Sequence, residues 1–301
     1  MSSAKASKIK ESSGERTFYF IVVLILVFVC IIVLYPLIHV VSVSFSSPYA
    51  VMANEVGILP KGFNTEGYHR VFANQDIWRS YKNTIFYTVM GTCLNVALTA
   101  AGAYPLSRQD FYGRKLWTVY FTITMFFGGG MVPTYLLIQR LNLVDTFWVM
   151  ILMGAVSTWN MVIMRTFFQN NIPMSLQEAA IIDGANDLRI FFRIVIPLSA
   201  PILAVMTLFY GVGHWNEFFN ALIYLNDRAR YPLQLILREI LLQNTLNAKM
   251  AEGLGSAGEQ EFIGESIRYA TIVVATVPIL MVYPFLQKYF VKGMMVGAIK
   301  G

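Results

Sequence analysis

Ser175-Leu176-Gln177-Glu178-Ala179-Ala180-Ile181-Ile182-Asp183-Gly184-Ala185-Asn186-Asp187-Leu188-Arg189-Ile190-Phe191-Phe192-Arg193-Ile194-Val195-Ile196-Pro197-Leu198-Ser199-Ala200-Pro201 changes character halfway along: mixed polarity gives way to an uncharged run that continues to Asn216. The spacing Ser175-x-x-Glu178 predicts a capping box, with the Ser175 hydroxyl accepting from the Glu178 amide while the Glu178 carboxylate reaches back. A helix through Ala179, Ala180, Ile181 and Ile182 follows. Asp183-Gly184 ends it, because glycine tolerates the left-handed conformation of a helix C-terminus. A second short helix over 186–193 leads to Pro197 and Pro201, where the apolar run enters lipid. A short exposed helix with small residues on one face, tied directly to a membrane helix, suits the transmission of push or rotation from a soluble partner.

The rest of the chain supplies the membrane. Of its 301 residues 56% are hydrophobic and only 13% charged, against about 25% charged in ordinary soluble domains. That composition excludes most soluble enzymes, and 22 Phe, 16 Tyr and 5 Trp in so weakly charged a chain exclude disorder. A membrane helix needs about 20 apolar residues. Six stretches free of Asp, Glu, Lys and Arg meet that length: 17–54 (continuously apolar over 18–43), 83–107, 116–139, 146–164, 194–216 and 269–287. The expected fold is therefore an all-α membrane protein of six transmembrane helices.

Lys and Arg are denser in 1–17, 107–115, 165–193 and 288–301 than in 45–82, 139–145 and 227–268. The positive-inside rule then places both termini in the cytoplasm. Residues 1–16 read as a polar tail. The first apolar run is longer than a signal-peptide core and no small-residue cleavage site follows it, so an uncleaved span is expected. Cys30 and Cys93 both lie in apolar runs and suggest neither a disulfide framework nor a metal cluster. Nothing interleaves basic and aromatic residues as nucleic-acid binding requires.

Three places break the apolar pattern. Gly128, Gly129 and Gly130, with Pro133 three positions later, predict a kink or unwinding of the third span. A broken helix lining a cavity and a tight helix crossing through small residues both fit; on the first reading Tyr135 faces the path. The fifth span closes on Trp215-Asn216-Glu217-Phe218, which reads either as a solvated helix end or as the wall of a polar path. In the second case Asn216 and Glu217 hydrogen-bond a ligand while Trp215 and Phe218 stack on it. The 227–268 connection is too long to be idle, and either a surface helix or contact with an extracellular partner explains it.

With these features in hand, Glu178-Ala-Ala-Ile-Ile-Asp183-Gly184-Ala185 through Phe191, Ile194, Pro197 and Pro201 resembles the "EAA" loop of permeases in binding-protein-dependent ABC importers. The lead-in Phe167-Phe168 and Ile172-Pro173 is similar too. Trp215-Asn216-Glu217-Phe218 resembles the carbohydrate-uptake branch. The stretch 127–135 and the tail 292–301 resemble its aldouronate and pectin-oligosaccharide permeases. The resemblance covers about 70–301 as a type I importer permease core, with 17–69 supplying a first span and outer loop. It implies that Glu178, Ala179, Ala180, Asp183, Gly184, Ala185, Phe191 and Pro197 couple the chain to a cytoplasmic ATPase. It also implies a second homologous permease, two ATPase copies carrying ATP and magnesium, an extracellular solute-binding lipoprotein and an oligosaccharide substrate. The location implied is the plasma membrane of a bacterium, with the 227–268 loop nearest the binding protein and the 288–301 tail near the ATPase.

No cofactor and no catalytic residue are expected on this chain. It lacks the G-x-x-x-x-G-K-[ST] phosphate cradle, and His39, His69 and His214 are not placed for a nucleophilic triad. The rivals are a permease of the same family for amino acids, peptides or phosphate, and a secondary transporter. The latter would need intramembrane carboxylates that the spans lack.

Overall fold

The computed structural model describes residues 12–254, 264, 266–281 and 284, with side chains left out over 244–254. Among them the chain is helical and contains no strand. The helices are α1 (Ser13–Ser44), α2 (Pro48–Met52), α3 (Glu66–Ala73), α4 (Gln75–Ser107), α5 (Arg114–Phe126), α6 (Met131–Arg140), α7 (Phe147–Leu152) and α8 (Thr158–Asn171). They continue with α9 (Met174–Ile182), α10 (Asp187–Ile190), α11 (Ile196–Leu198), α12 (Ala200–Trp215), α13 (Phe219–Tyr224) and α14 (Leu233–Leu254). A last apolar helix, α15, covers Ser266–Met281. The greater part of the acidic glycine-rich stretch, at 255–263, and the C-terminal tail at 288–301 lie outside the described residues.

Two compact units divide the chain, one of residues 1–71 and 244–273, the other of 72–243 and 274–301. In the first, α1 is apolar on every side, as a helix surrounded by lipid must be. A capping box starts it: the Ser12 amide donates to Glu15 at 2.7 Å and the Glu15 amide to the Ser12 hydroxyl at 3.2 Å. Beyond α1, Val43, Ala50 and Val56 form a small core with Tyr269 against it. Gly67 lies so close to the next segment that a Cβ there would meet the Ser266 carbonyl at 2.8 Å.

The second unit is organised on α4. Ala100, Ala103, Tyr104 and Leu106 near its Ser107 end join Met161, Met164 and Phe168 of α8, Ala180 of α9 and Ile202, Met206 and Tyr210 of α12 in one core. Near its other end Tyr87 joins Ile138, Val149, Ile151, Ala221, Tyr224 and Leu235 in a second.

Two helices, Gly14–Ser44 and Gln75–Ser107, are long and apolar enough to cross a membrane, and the number rises to four if each of two bent pairs is one span. Of the six apolar runs, the third bends where its glycines predicted a kink, while the fourth and fifth are interrupted where no break was expected. The third run turns by 112° between α5 and α6. In the fourth, α7 stops at Leu152. Gly154 takes φ +69° and Ser157 accepts from the Asn160 amide, so α8 starts afresh. The fifth bends by 81° between 187–198 and α12, and its straight part begins at Ala200 rather than Ile194. Pro201 in the first turn of α12 explains the restart, since proline suits the beginning of a helix and disrupts its interior.

The capping box at Ser175 and Glu178 also does not form. Pro173, extended at φ −60°, ψ 134°, occupies the N-cap of α9, with no side-chain cap. The helix starts at Met174, which carries Ser175 into its first turn. A proline at this point fixes the entry direction by its ring and takes over the boundary that the Ser175 hydroxyl was expected to set.

Candidate functional site

The loop between α8 and α12 is built from the inside outwards. α9 turns Ala180 into the core, where it is 9% exposed, with Ala185 packed beside it. Of the two small residues expected on one outward face, only Ala179 is exposed, together with Glu178. Ile181 and Ile182, 48% and 86% exposed, supply an apolar outer surface instead. Asp183 is the C-cap of α9, and Gly184 follows at φ +77° with open space around its Cα. Its glycine is thus required by backbone conformation rather than by crowding.

The Asn186 side chain accepts from the Arg189 amide at 2.9 Å and starts α10. α10 passes into a π-helical turn, Phe191–Val195, then α11. Phe191 is buried against Tyr104 of α4, ring centroids 5.2 Å apart, while Pro197 is exposed.

One residue that sequence reasoning treated only as an orientation charge proves central here. Arg108, directly after α4, is 8% exposed. It donates to the Tyr104 hydroxyl at 3.0 Å, to both carboxylate oxygens of Asp110 at 2.9 and 2.5 Å, and to Asp187 at 3.0 Å. The paired guanidinium holds the Asp110 carboxyl below the usual carboxylate range against the opposing effect of burial. A cavity of about 470 Å³ beside this cluster is lined by Tyr104, Pro105, Phe111, Leu188, Phe191 and Phe192. The only sequence signal for it was the position of an arginine at the abrupt end of a long apolar run.

The proposed path residues do not form a single surface. Trp215 is buried, its Nε1 donating to the Ala275 carbonyl at 3.2 Å and its ring edge-on to Tyr81. With Tyr81 of α4 and Gly211 and Val212 of α12 it also lines a cavity of about 510 Å³. Glu217 accepts from the Asn220 amide and side chain, both at 3.0 Å, and so supports the start of α13. Asn216 and Phe218 are exposed, and the Arg238 guanidinium lies 4.9 Å over the Phe218 ring.

Tyr135 packs with Tyr87 towards the Gln75 end of α4, stacked on Tyr224 at 5.8 Å and 15°. The bend before it sits at Phe127 to Gly130, with Gly130 at φ +82°, and Pro133 falls in the first turn of α6. Gly128 has no atom within 4 Å of a built Cβ, and the nearest to Gly129 is Pro133 itself at 4.0 Å. Among the described residues these glycines turn the chain and do not serve a close helix crossing.

A polar seam inside the membrane helices went unread in the sequence. Thr88, Thr92, Asn95 and Thr99 recur at helical spacing along α4. The Thr99 hydroxyl bonds Tyr210 of α12 at 2.7 Å, and the Asn95 side chain lies 3.1 Å from the His214 ring. Gly91 makes room for that ring: a Cβ there would stand 2.3 Å from it. The period of 88, 92, 95 and 99 is the signal that was available.

This fold is shared with characterised transport proteins. Residues 96–296 match the family described as binding-protein-dependent transport system inner membrane component, and the chain belongs to that family. It is a multi-pass membrane permease component and not an enzyme. It is 43% identical over 279 residues to the polygalacturonan/rhamnogalacturonan transport system permease protein YtcP of Bacillus subtilis (strain 168), covering 92% of this chain and 96% of that one. Protein LplC of the same organism is 41% identical over 270 residues, covering 90% of each. Among solved structures, a bacterial ABC transporter involved in the import of the acidic polysaccharide alginate superposes with a TM-score of 0.83 at 34% identity, covering 94% of this chain and all of the other.

Proposed function

We propose that the chain is the membrane-spanning subunit of an ATP-driven importer of oligosaccharides, with uronate-containing chains as the substrate class. The observation that carries the mechanism is the continuous connection from α9 through Gly184, α10 and the π-helical turn into α12. A helix exposing Glu178, Ala179 and Ile182 is thereby joined to a membrane helix with little slack. On this reading 165–193 faces the cytoplasm, both termini lie there, and six spans cross the membrane, the bent pairs counting as one each.

The partners are a second homologous permease, two ATPase copies that bind ATP and magnesium, and a solute-binding protein outside. ATP binding draws the ATPases together, the loop helices follow, and α12 and its neighbours open the path to the outside; closure returns on hydrolysis. A ligand drives such a switch only by binding the two states differently. The substrate class is supported by the relatives, one a polygalacturonan/rhamnogalacturonan permease and one an importer of alginate, since polygalacturonan and alginate are both rich in uronic acids.

The test is uptake into proteoliposomes holding the purified complex with ATP inside and the binding protein outside. Labelled oligogalacturonate is expected to accumulate and a neutral maltooligosaccharide is not. Equal accumulation of both would remove the uronate preference; accumulation of neither, with an amino acid or phosphate carried instead, would return the chain to a non-sugar branch. Gly184→Pro and Glu178→Lys are expected to assemble yet hydrolyse ATP without response to the loaded binding protein, because proline cannot adopt φ +77° and the lysine reverses an exposed charge. Normal transport by both variants would remove the coupling assignment.

A further inference from the structure

We propose that Arg108 is the positioning residue through which movement of the 165–193 loop reaches α4, with Asp110 as its permanent partner and Asp187 as its separable one. The inference rests on the coupling reading given above for that loop.

The two carboxylates are not equivalent. Asp110 is two residues from Arg108 on the same connection, engages the guanidinium through both oxygens, and travels with it. Asp187 stands 79 positions away as the first residue of α10, and reaches a single Nη1 with one oxygen. Its side chain is 74% exposed while that of Arg108 is 9% exposed. Withdrawing Asp187 therefore returns a carboxylate to water that already surrounds most of it, and leaves the guanidinium neutralised by Asp110. Withdrawing Asp110 would leave a buried cation with a single-point, exposed counterion.

The surroundings fit a contact that is made and broken. The same Nη1 also bonds the Tyr104 hydroxyl, and Tyr104 touches Phe191 at the far end of α10. The arginine thus holds α10 at its first residue while the aromatic pair holds the residue that directly follows it. Beside them the cavity bordered by Phe111, Leu188 and Phe192 leaves space for α10 to shift without displacing packed side chains. The end of α4 is meanwhile fixed independently, since Arg165 of α8 donates to the Leu106 carbonyl at 3.0 Å.

Substitution at Asp187 should accordingly change how ATP hydrolysis is converted into transport, more than whether the complex forms. The experiment uses the full complex of both permeases, ATPases and binding protein in proteoliposomes. It measures labelled oligogalacturonate taken up per ATP hydrolysed for wild type, Asp187→Asn, Arg108→Gln, Arg108→Lys and the Arg108→Gln/Asp187→Asn double variant.

A several-fold fall in that ratio is expected for Asp187→Asn and Arg108→Gln. The double variant should fall no further than Arg108→Gln alone, and Arg108→Lys should recover part of the loss. A clamp with no role in coupling would lower yield and melting temperature while leaving the ratio at the wild-type value, and that result in Asp187→Asn overturns the proposal even if Arg108→Gln fails to assemble. Additive losses in the double variant would overturn it as well. If the wild-type complex itself shows no ATP-dependent uptake, the importer reading falls first, which separates the two failures.

Discussion

The two ends of α4 are fastened in opposite ways. At the Ser107 end one buried arginine gathers Tyr104, Asp110 and Asp187. At the Gln75 end the charges are spread out and wetter: Arg228 bridges Asp76 and Glu239, Arg230 bridges Asp145 and Asp227, and both arginines are 41% exposed or more. Backbone bonds do much of the holding there. Asn83 donates to the Ala229 and Tyr231 carbonyls, Tyr87 donates to the Arg230 carbonyl, and the Leu233 amide donates to Thr84. A fastening shared among many bonds resists the loss of any one; a fastening concentrated in one buried group can be switched through a single partner.

The contrast depends on α4 being seated along its middle, so the largest effect is expected there. Gly91→Val would drive a side chain into the His214 ring and separate α4 from α12, with a cost of several kcal/mol by overpacking. Loss of the complex on size-exclusion chromatography in detergent is the expected readout, and a variant that runs as wild type would show that the seam can yield.

Next comes the Ser107 end. Arg108→Met should lower stability by about 1–3 kcal/mol, because it leaves the buried Tyr104 hydroxyl short of a partner while both aspartates remain in reach of water. At the Gln75 end, Arg228→Gln should cost about 0–1 kcal/mol, the range of exposed ion pairs. Thermal unfolding of the three variants ranks them, and an Arg228 effect as large as that of Arg108 would erase the difference between the ends.

The smallest effect is that of pH. Burial opposes ionisation of Asp145, but the Asp227 and Asn226 amides and Arg230 outweigh it and hold the carboxyl below its usual range. Asp110 is lowered likewise by Arg108. A depressed carboxyl contributes stability that is complete above the unfolded value of about 3.9 and lost as pH falls through the folded one. Melting temperature should therefore stay level from pH 8 to pH 5 on account of these groups and drop only at more acid pH; a fall centred near pH 6 would need another titrating group.

Much of this architecture was legible because lipid imposes a simple rule. Long uncharged runs located α1 and α4, and glycines at 128–130 and 184 marked places where the chain turns. The motif Ser-x-x-Glu was less reliable, as its two occurrences among the described residues differ. At 12–15, read from the sequence only as part of a polar tail, it forms a reciprocal cap where nothing else fixes the start of the helix. At 175–178 it does not, because Pro173 has already set the boundary. Local hydrogen-bond chemistry can be read from a motif only where the neighbouring backbone leaves the choice open.

The candidate site was harder to read for a related reason. Glu178, Gly184 and Phe191 could be named from their own stretch, but Arg108 takes its meaning from Asp187, 79 positions away, and no local pattern announces that meeting. Trp215 and Glu217 have local partners that composition could not announce, the Ala275 carbonyl for one and Asn220 for the other.

The π-helical turn at Phe191–Val195 carries one residue more than a regular α-helical turn. It therefore works as a phase shift in the helix. Removing one residue from that turn would let the chain close into plain α-helix and swing everything before it by about 100° about the axis. Asp187 would then face away from Arg108 although its own side chain and that of Arg108 are unchanged. Angular register, as much as residue identity, is what this part of the sequence has to conserve.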